Sequence, residues 1–511
     1  VNLGGAVNLG GLVNPGGFLD HDRAVAPPGW SRWLVPPAAL AVHMSIGQVY
    51  AWSVFKDSFA ATLLKGDPYA GTRSGLPFTL AIVVLGVSAA AFGTTVERRG
   101  PRWSMLVAAT LFAAGFAVSA AGIAAGWFWL VVLGYGLIGG IGLGIGYISP
   151  VSTLIKWFPD RPGLATGLAI MGFGGGALIA APASTALLTA FGGSGPRATA
   201  GGLAATFLTM GLGYAVFMSL GWLLIRTPAA GWQPAVRTPD RAAQHRARQA
   251  DTVAPSLSAR EAVRTPQFWL LWVVLCFNVT AGIGILQRAA PIFQDFFRGQ
   301  APAAGFAAVA AGFVSALSLA NMLGRFVWSS LSDTIGRKNI YRVYLGAGAL
   351  LYLLIDTVGH TDRAVFLTAT MLILSFYGAG FATAPAYLRD LFGTYQVGAI
   401  HGRLLTAWSV AGALGPFIVD FIADRQKAAG LTGIGLYHLS FRIMIALLVI
   451  AFVANELIRP LPRRAAPPDT RAAPWEKHPR TPADDRLPAG RPPVAAGAPT
   501  LTRNLAVGRF R

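Results

Sequence analysis

Apolar stretches of about twenty residues recur from one end of this chain to the other, and each is long enough to cross a hydrocarbon layer of about 30 Å as a helix. Twelve can be drawn, at roughly 33–56, 74–96, 103–125, 127–150, 163–190, 202–225, 268–290, 305–331, 341–359, 364–388, 402–424 and 437–459. Backbone polar groups find no partner in lipid, so repeated spans of this length demand helices. The expected class is therefore an all-α integral membrane protein with the lipid bilayer as its main partner. Only 12% of the residues are charged, against about a quarter in soluble domains. Many of the 62 glycines lie inside the apolar runs, where small residues let helices approach closely.

What lies between the runs sets the organisation. Residues 1–30, opening VNLGGAVNLGGLVNPGG, read as a flexible Gly-rich tail without the basic start of a signal peptide. Residues 31–226 form a first six-helix half and 268–459 a second. The polar loop between them, 227–267, is rich in Arg and lacks Lys, and the Pro/Arg/Ala-rich segment 460–511 reads as a disordered tail. The net charge of +20 comes from basic residues in the gaps between the apolar runs and in the C-terminal tail rather than on one compact face, which argues against nucleic acid. By the positive-inside rule it places both termini in the cytoplasm, with the chain in the inner (plasma) membrane.

Several chemistries find no support. The single cysteine, Cys276, lies in an apolar run, and the seven histidines do not cluster at ligand spacing, so no metal and no cofactor is expected. The glycine runs GLIGGIGLGIG (136–146) and GFGGGA (172–177) follow no strand and precede no Lys-Ser/Thr. They read as helix-packing surfaces rather than nucleotide loops. No hydrolase or metalloprotease motif occurs, so an enzyme is not expected.

An internal repeat supports the two halves. GTTVERRGPR (93–102) follows the second run and SSLSDTIGRK (329–338) follows the eighth. Glu97 aligns with Asp333, Gly100 with Gly336 and Arg102 with Lys338 at one offset of 236 residues. An acid closing one span, a glycine turn and a cation opening the next can form a charge cluster that latches helices on one side of the membrane. Glu97, Arg98, Gly100, Arg102, Asp333, Gly336, Arg337 and Lys338 are the expected gating residues. The second loop resembles the signature loop of the major facilitator superfamily. Asp333, Gly336, Arg337 and Lys338 match it, while Ser329 replaces its first glycine, Glu97 replaces Asp in the first copy and Pro101 interrupts the basic pair there. The resemblance implies twelve transmembrane helices in two pseudo-symmetric halves, a central substrate cavity and a carrier that is complete as a monomer.

Arg325 is the outstanding single residue. It lies within the eighth run, in SALSLANMLGRFVWSSL, with no acid nearby in its own span and Asn321 one turn earlier on the same face. Intramembrane charge is costly and marks a functional site by default. A guanidinium fork with a neighbouring amide suits one carboxylate.

Four segments sharpen the resemblance: GQVYAWSVF (47–55), KWFPDRPGLATGLAIMGFGGGA (156–177), the N-x-x-G-R of 321–325 and FYGAGFATAPAYLRDLFG (376–393). Together they resemble the oxalate:formate antiporter family and the related monocarboxylate transporters. The resemblance implies that Arg325 binds a substrate carboxylate with Asn321 beside it. Tyr50, Tyr135 and Tyr377 stand at family-like positions along the cavity. Trp408 occupies the place of a lysine that the oxalate exchangers carry in a T-A-K-G stretch, here TAWS. Val54 and Asn321 replace a Lys and an Asp of the animal-type transporters, so their coupling arrangement does not carry over.

One buried cation matches one negative charge. The expected substrate is therefore a small monocarboxylate, moved with protons by symport or against a counter-anion. His43, inside the first run, is the candidate proton carrier. The alternatives are an oxalate/formate-type dicarboxylate exchanger and an exporter of unrelated substrate on the same fold.

Overall fold

The computed structural model describes residues 24–67, 70–192, 198–229, 232–234, 257–297 and 306–461. These form helical rods without a named strand; one isolated bridge joins Val25 to Thr227. The first rod, α1, is a helix over Val35–Ile46 that tightens into a 3-10 helix over Gly47–Phe55. The others are α2 (Leu76–Arg99), α3 (Pro101–Ala124), α4 (Phe128–Trp157), α5 (Pro162–Phe191) and α6 (Ala200–Leu224). The second set is α7 (Pro266–Phe297), α8 (Phe306–Ile335), α9 (Arg337–Gly359), α10 (Arg363–Phe392), α11 (Val397–Ala428) and α12 (His438–Leu457).

Ten of these helices are long and apolar enough to cross a membrane. α1 is not among them because its regular helix stops at Ile46, and the second half of α8 carries Asn321, Arg325, Ser329, Ser330 and Ser332. A span that lines a polar cavity need not be apolar all round. The outer faces of the bundle are apolar: Leu212, Val216, Phe217 and Leu220 are exposed along α6, and Phe417 and Phe421 along α11. Such stripes would be anomalous in water and are expected against lipid. Exposed Trp33 and Trp269 mark one end of the bundle, and Trp127 and Trp129 the other, as tryptophans at the two membrane interfaces do.

Glycine sets the helix–helix distances. In α4, Gly140 and Gly144 meet α2, while Gly142 and Gly146 meet Ala108 of α3. In α5, Gly172 and Gly176 meet α1, and Gly174 and Gly175 meet Met322 of α8. The two runs are packing surfaces, each wedged between two neighbours. Gly100 and Gly336 have φ of 82° and 88°, a left-handed conformation that strains any side chain with a Cβ. Each ends one helix and starts the next without a spacer.

Two segments expected as loop or tail are built into the bundle. Ala24 is buried, and it and Ala26 exchange backbone hydrogen bonds with Thr227 (Thr227 N to Ala24 O, 2.8 Å; Ala26 N to Thr227 O, 2.9 Å). Arg226 stands 5.2 Å from the Trp30 ring. The first tail therefore joins the fold from Ala24 onward, because paired backbone and a cation–π contact tie it to the end of α6. Within the central loop, Ser258 and Glu261 form a capping box on a short helix, Ala259–Ala262, and Leu257 N donates to Phe392 O (3.0 Å). Residues 1–23, most of the loop and 462–511 lie outside the described residues.

Candidate functional site

The site is built where α1, α4, α5, α8, α10 and α11 converge. Arg325 of α8 is 0% exposed. Its Nε donates to Asn321 Oδ1 (3.1 Å) and its Nη1 to the backbone carbonyl of Ile170 in α5 (3.3 Å), while its Nη2 has no hydrogen-bond partner. Among the described residues, no ion pair involves Arg325. Phe173 and Phe381 lie 5.7 and 5.5 Å from the guanidinium carbon, a geometry that holds a cation by its face and leaves its edge available. Glycines make the room. A Cβ at Gly167 would meet Arg325 O at 2.8 Å, one at Gly174 would meet Arg325 Nε at 3.2 Å, and one at Gly378 would overlap Asn321.

Asn321 lies beside Arg325, one turn away on the same face of α8. Its carbonyl oxygen is used in orienting Arg325, which fixes the fork rather than meeting a ligand directly. Tyr50 and Tyr377 pair their hydroxyls at 2.9 Å across the two halves. Trp408 is 0% exposed and packs on Tyr50, Tyr147, Phe173 and Phe381, with its Nε1 unpartnered. So Arg325, Asn321, Tyr50, Tyr377 and Trp408 are brought together.

Tyr135 is not brought to them. Its hydroxyl donates to Gln48 (3.0 Å), and its ring packs on Trp52 (4.3 Å) and Phe116 (5.6 Å) inside the first half. The tyrosine of α4 that reaches the site is Tyr147. It contacts Phe173 and Trp408, and its hydroxyl lies beside the Arg325 guanidinium with no other hydrogen-bond partner. Depth explains the difference. Tyr147 stands ten residues before the end of α4 at Trp157, and Arg325 ten before the end of α8 at Ile335. Both helices end on the same face, so at 1.5 Å per residue the two share a level about 15 Å from it. Tyr135 is more than three turns away. That count was available in the sequence.

His43 is fully buried between α4 and α5. Its Nδ1 faces Ala169 O at 2.5 Å and its Nε2 faces Tyr147 O at 3.1 Å. A neutral imidazole has one N–H and can donate to only one of these carbonyls at a time. This is the geometry of a packed residue clamping two helices. A second histidine, His401 of α11, was not singled out from sequence; it is buried beside Tyr147, with ring centroids 5.8 Å apart.

The two repeat loops close one end of this space, called here the loop face. Glu97 Oε1 accepts from the backbone N of Gly398 at the start of α11 (2.9 Å), and Oε2 pairs with Lys156 (3.0 Å). Asp333 accepts from the backbone N of Gly163 (2.8 Å) and of Leu164 (2.9 Å) at the start of α5. A carboxylate at a helix N-terminus satisfies unpaired N–H groups and meets the positive end of the helix dipole. Each acid closes a helix of one half and caps a helix of the other. Arg337 holds Asp333 (2.5 Å) and Asp390 (3.1 Å), and Arg389 donates to Pro159 O across the seam (3.1 Å). Lys338 instead donates to the carbonyls of Glu456 and Ile458 at the end of α12. Arg98 is exposed and stands apart from the latch, and Arg102 is buried at the start of α3.

Two sets of membrane helices joined across a seam, with a buried cation there, are the arrangement that alternating-access carriers use. The chain belongs to the Major Facilitator Superfamily, whose profile matches residues 38–416 and 305–506. It is 26% identical over 447 residues to the oxalate:formate antiporter of Oxalobacter formigenes, covering 86% of this chain and 94% of that one. It is 24% identical over 348 residues to apicoplast pyruvate carrier 1 of Toxoplasma gondii, covering 59% of this chain and 61% of that one. Among solved structures, the proton:xylose symporter XylE superposes with a TM-score of 0.60 at 17% identity, covering 83% of this chain and 94% of that one. The protein is thus a multi-pass membrane transporter of the major facilitator fold.

Proposed function

We propose that this carrier moves a small organic monocarboxylate by alternating access, through proton symport or anion exchange. One observation carries the reading: Arg325 is sealed in an aromatic box with Nη2 unpartnered and no described acid to neutralise it. A buried guanidinium left so is costly, and a carboxylate arriving on that edge would supply both the charge and the acceptors. Trp408 adds a further donor without a partner, and Tyr147 a hydroxyl beside the guanidinium. Trp408 brings bulk and no charge, which favours one carboxylate over two. The likeness to a pyruvate carrier agrees with this. We place the protein in the inner (plasma) membrane with both termini and the loop face in the cytoplasm, on the charge of the central loop and tail, and we expect the monomer to be the working unit.

A second reading, exchange of oxalate for formate, is favoured by the likeness to the oxalate:formate antiporter. Uptake of labelled lactate, formate and oxalate into proteoliposomes, with an imposed pH gradient or an internal counter-anion, separates the two. Monocarboxylate uptake driven by the gradient or by a counter-anion supports the first reading. Oxalate exchange without monocarboxylate uptake rejects it.

A further inference from the structure

Counting one cation in the cavity considers only permanent charges, and the structure adds a titratable one. His401 lies in the first piece of α11, Val397–Leu404, at 1% exposure, and neither ring nitrogen has a hydrogen-bond partner. Buried polar groups are paired in nearly all cases, as His43 is. His401 stands seven residues before Trp408, two turns along the same helix and on the same side. Both rings touch Tyr147, at 5.8 and 5.4 Å. Around that one tyrosine, Trp408 Nε1 and both His401 nitrogens are buried without a hydrogen-bond partner, and Tyr147 Oη and the Arg325 guanidinium face each other.

The charged neighbours of His401 leave its state open to the ligand. Tyr147 of α4 and His43 of α1 face it. Glu97 of α2 and Lys156 of α4 pair with each other at the start of its helix. Arg403 donates to Ala399 O, Arg389 and Asp390 of α10 are engaged in the latch, and Glu261 of the short helix is held by Ser258. None of the described carboxylates reaches the imidazole. The carboxylate placed nearest along its helix, Glu97 on Gly398 N, is paired with Lys156, and the shared contact with Tyr147 is what links the imidazole to the Arg325 site.

We propose that His401 sets the charge selectivity of the carrier: neutral, it leaves a site for a monocarboxylate, and protonated, it supplies the second cation that a dicarboxylate requires. The proposal rests on the reading of Arg325 as the carboxylate anchor. A dianion beside a lone guanidinium leaves one charge uncompensated in a medium of low dielectric. An imidazolium removes that mismatch, so the proton and the dianion strengthen each other's binding by the same factor. Oxalate recognition without a lysine in α11 then becomes a matter of pH.

The test uses the full chain in proteoliposomes, with labelled lactate uptake inhibited by external oxalate at about pH 7.5 and about pH 5.5, on either side of ordinary histidine titration. Oxalate remains a dianion over this range. The quantity read is the oxalate inhibition constant divided by the lactate KM. In the native carrier this ratio should fall about tenfold on acidification, within the usual range of coupling between two bound groups. In His401→Gln the ratio should no longer change with pH. In His401→Lys it should be low at both values. A native ratio that does not move with pH overturns the proposal, as does a His401→Gln variant that keeps the native slope. Should His401→Gln fail to assemble, the native series and His401→Lys still decide. If the native protein takes up no lactate and oxalate does not bind, the anion reading fails and this proposal with it. If lactate is carried and only the pH slope is missing, the proposal alone falls.

Discussion

Arg325 donates through Nε and Nη1, and its Nη2 is left for the carboxylate proposed above. Arg325→Lys keeps the charge but replaces a fork by a point donor. It should lower carboxylate uptake per reconstituted molecule by about 10- to 100-fold, the loss of one to two charge-assisted hydrogen bonds; near-native uptake by Arg325→Ala would remove the residue from the site. Gly378→Ala tests the same geometry from the other side. The added methyl overlaps Asn321, and overpacking of this kind costs about 1–3 kcal/mol. Uptake should fall while the variant stays monodisperse in detergent. Arg325 itself was legible in the sequence because a charge within an apolar run stands out. Tyr147 and His401 were not, since a tyrosine or histidine in a span is unremarkable until its depth and neighbours are known.

At the scale of elements, the latch joins residues that are far apart in the chain. The repeat of acid, glycine and cation was visible at its offset of 236 residues, and the positive φ of Gly100 and Gly336 agrees with the turn read there. The acids' targets were not visible, because nothing in a sequence pattern says which helix start lies across the seam. Glu97→Gln keeps an acceptor for Gly398 N but gives up the charge–dipole term and the Lys156 pair. A loss of about 1–2 kcal/mol is expected, which shifts the closed-to-open ratio at the loop face by about 5- to 30-fold. Distances between spin labels at the ends of α2 and α11, measured in the variant and the native carrier, report that shift. Asp333→Asn should act alike through α5, and the double variant should be close to additive because the two caps share no partner. An unchanged distance distribution in both would mean that the caps stabilise helices without holding the gate.

For the whole molecule, transport is expected to reside in the helices, so removal of 465–511 should leave uptake unaltered within about twofold, the range of ordinary surface changes. Abolished uptake in a correctly inserted truncation would assign the tail a part in transport. Reporter fusions at both termini test the orientation: accessibility from the cytoplasm is expected for each.

Span count, two-fold repetition and the buried cation follow from the sequence alone, because hydrophobic length, periodic motif spacing and an isolated charge are one-dimensional properties. Only the tertiary structure decided that Tyr147 rather than Tyr135 meets Arg325, that His43 is clamped between two carbonyls, that His401 is buried without partners, and that Glu97 and Asp333 cap helices of the opposite half. Each of these depends on which helix faces lie against one another and at what depth. Packing among many similarly apolar helices settles that, and no single segment encodes it.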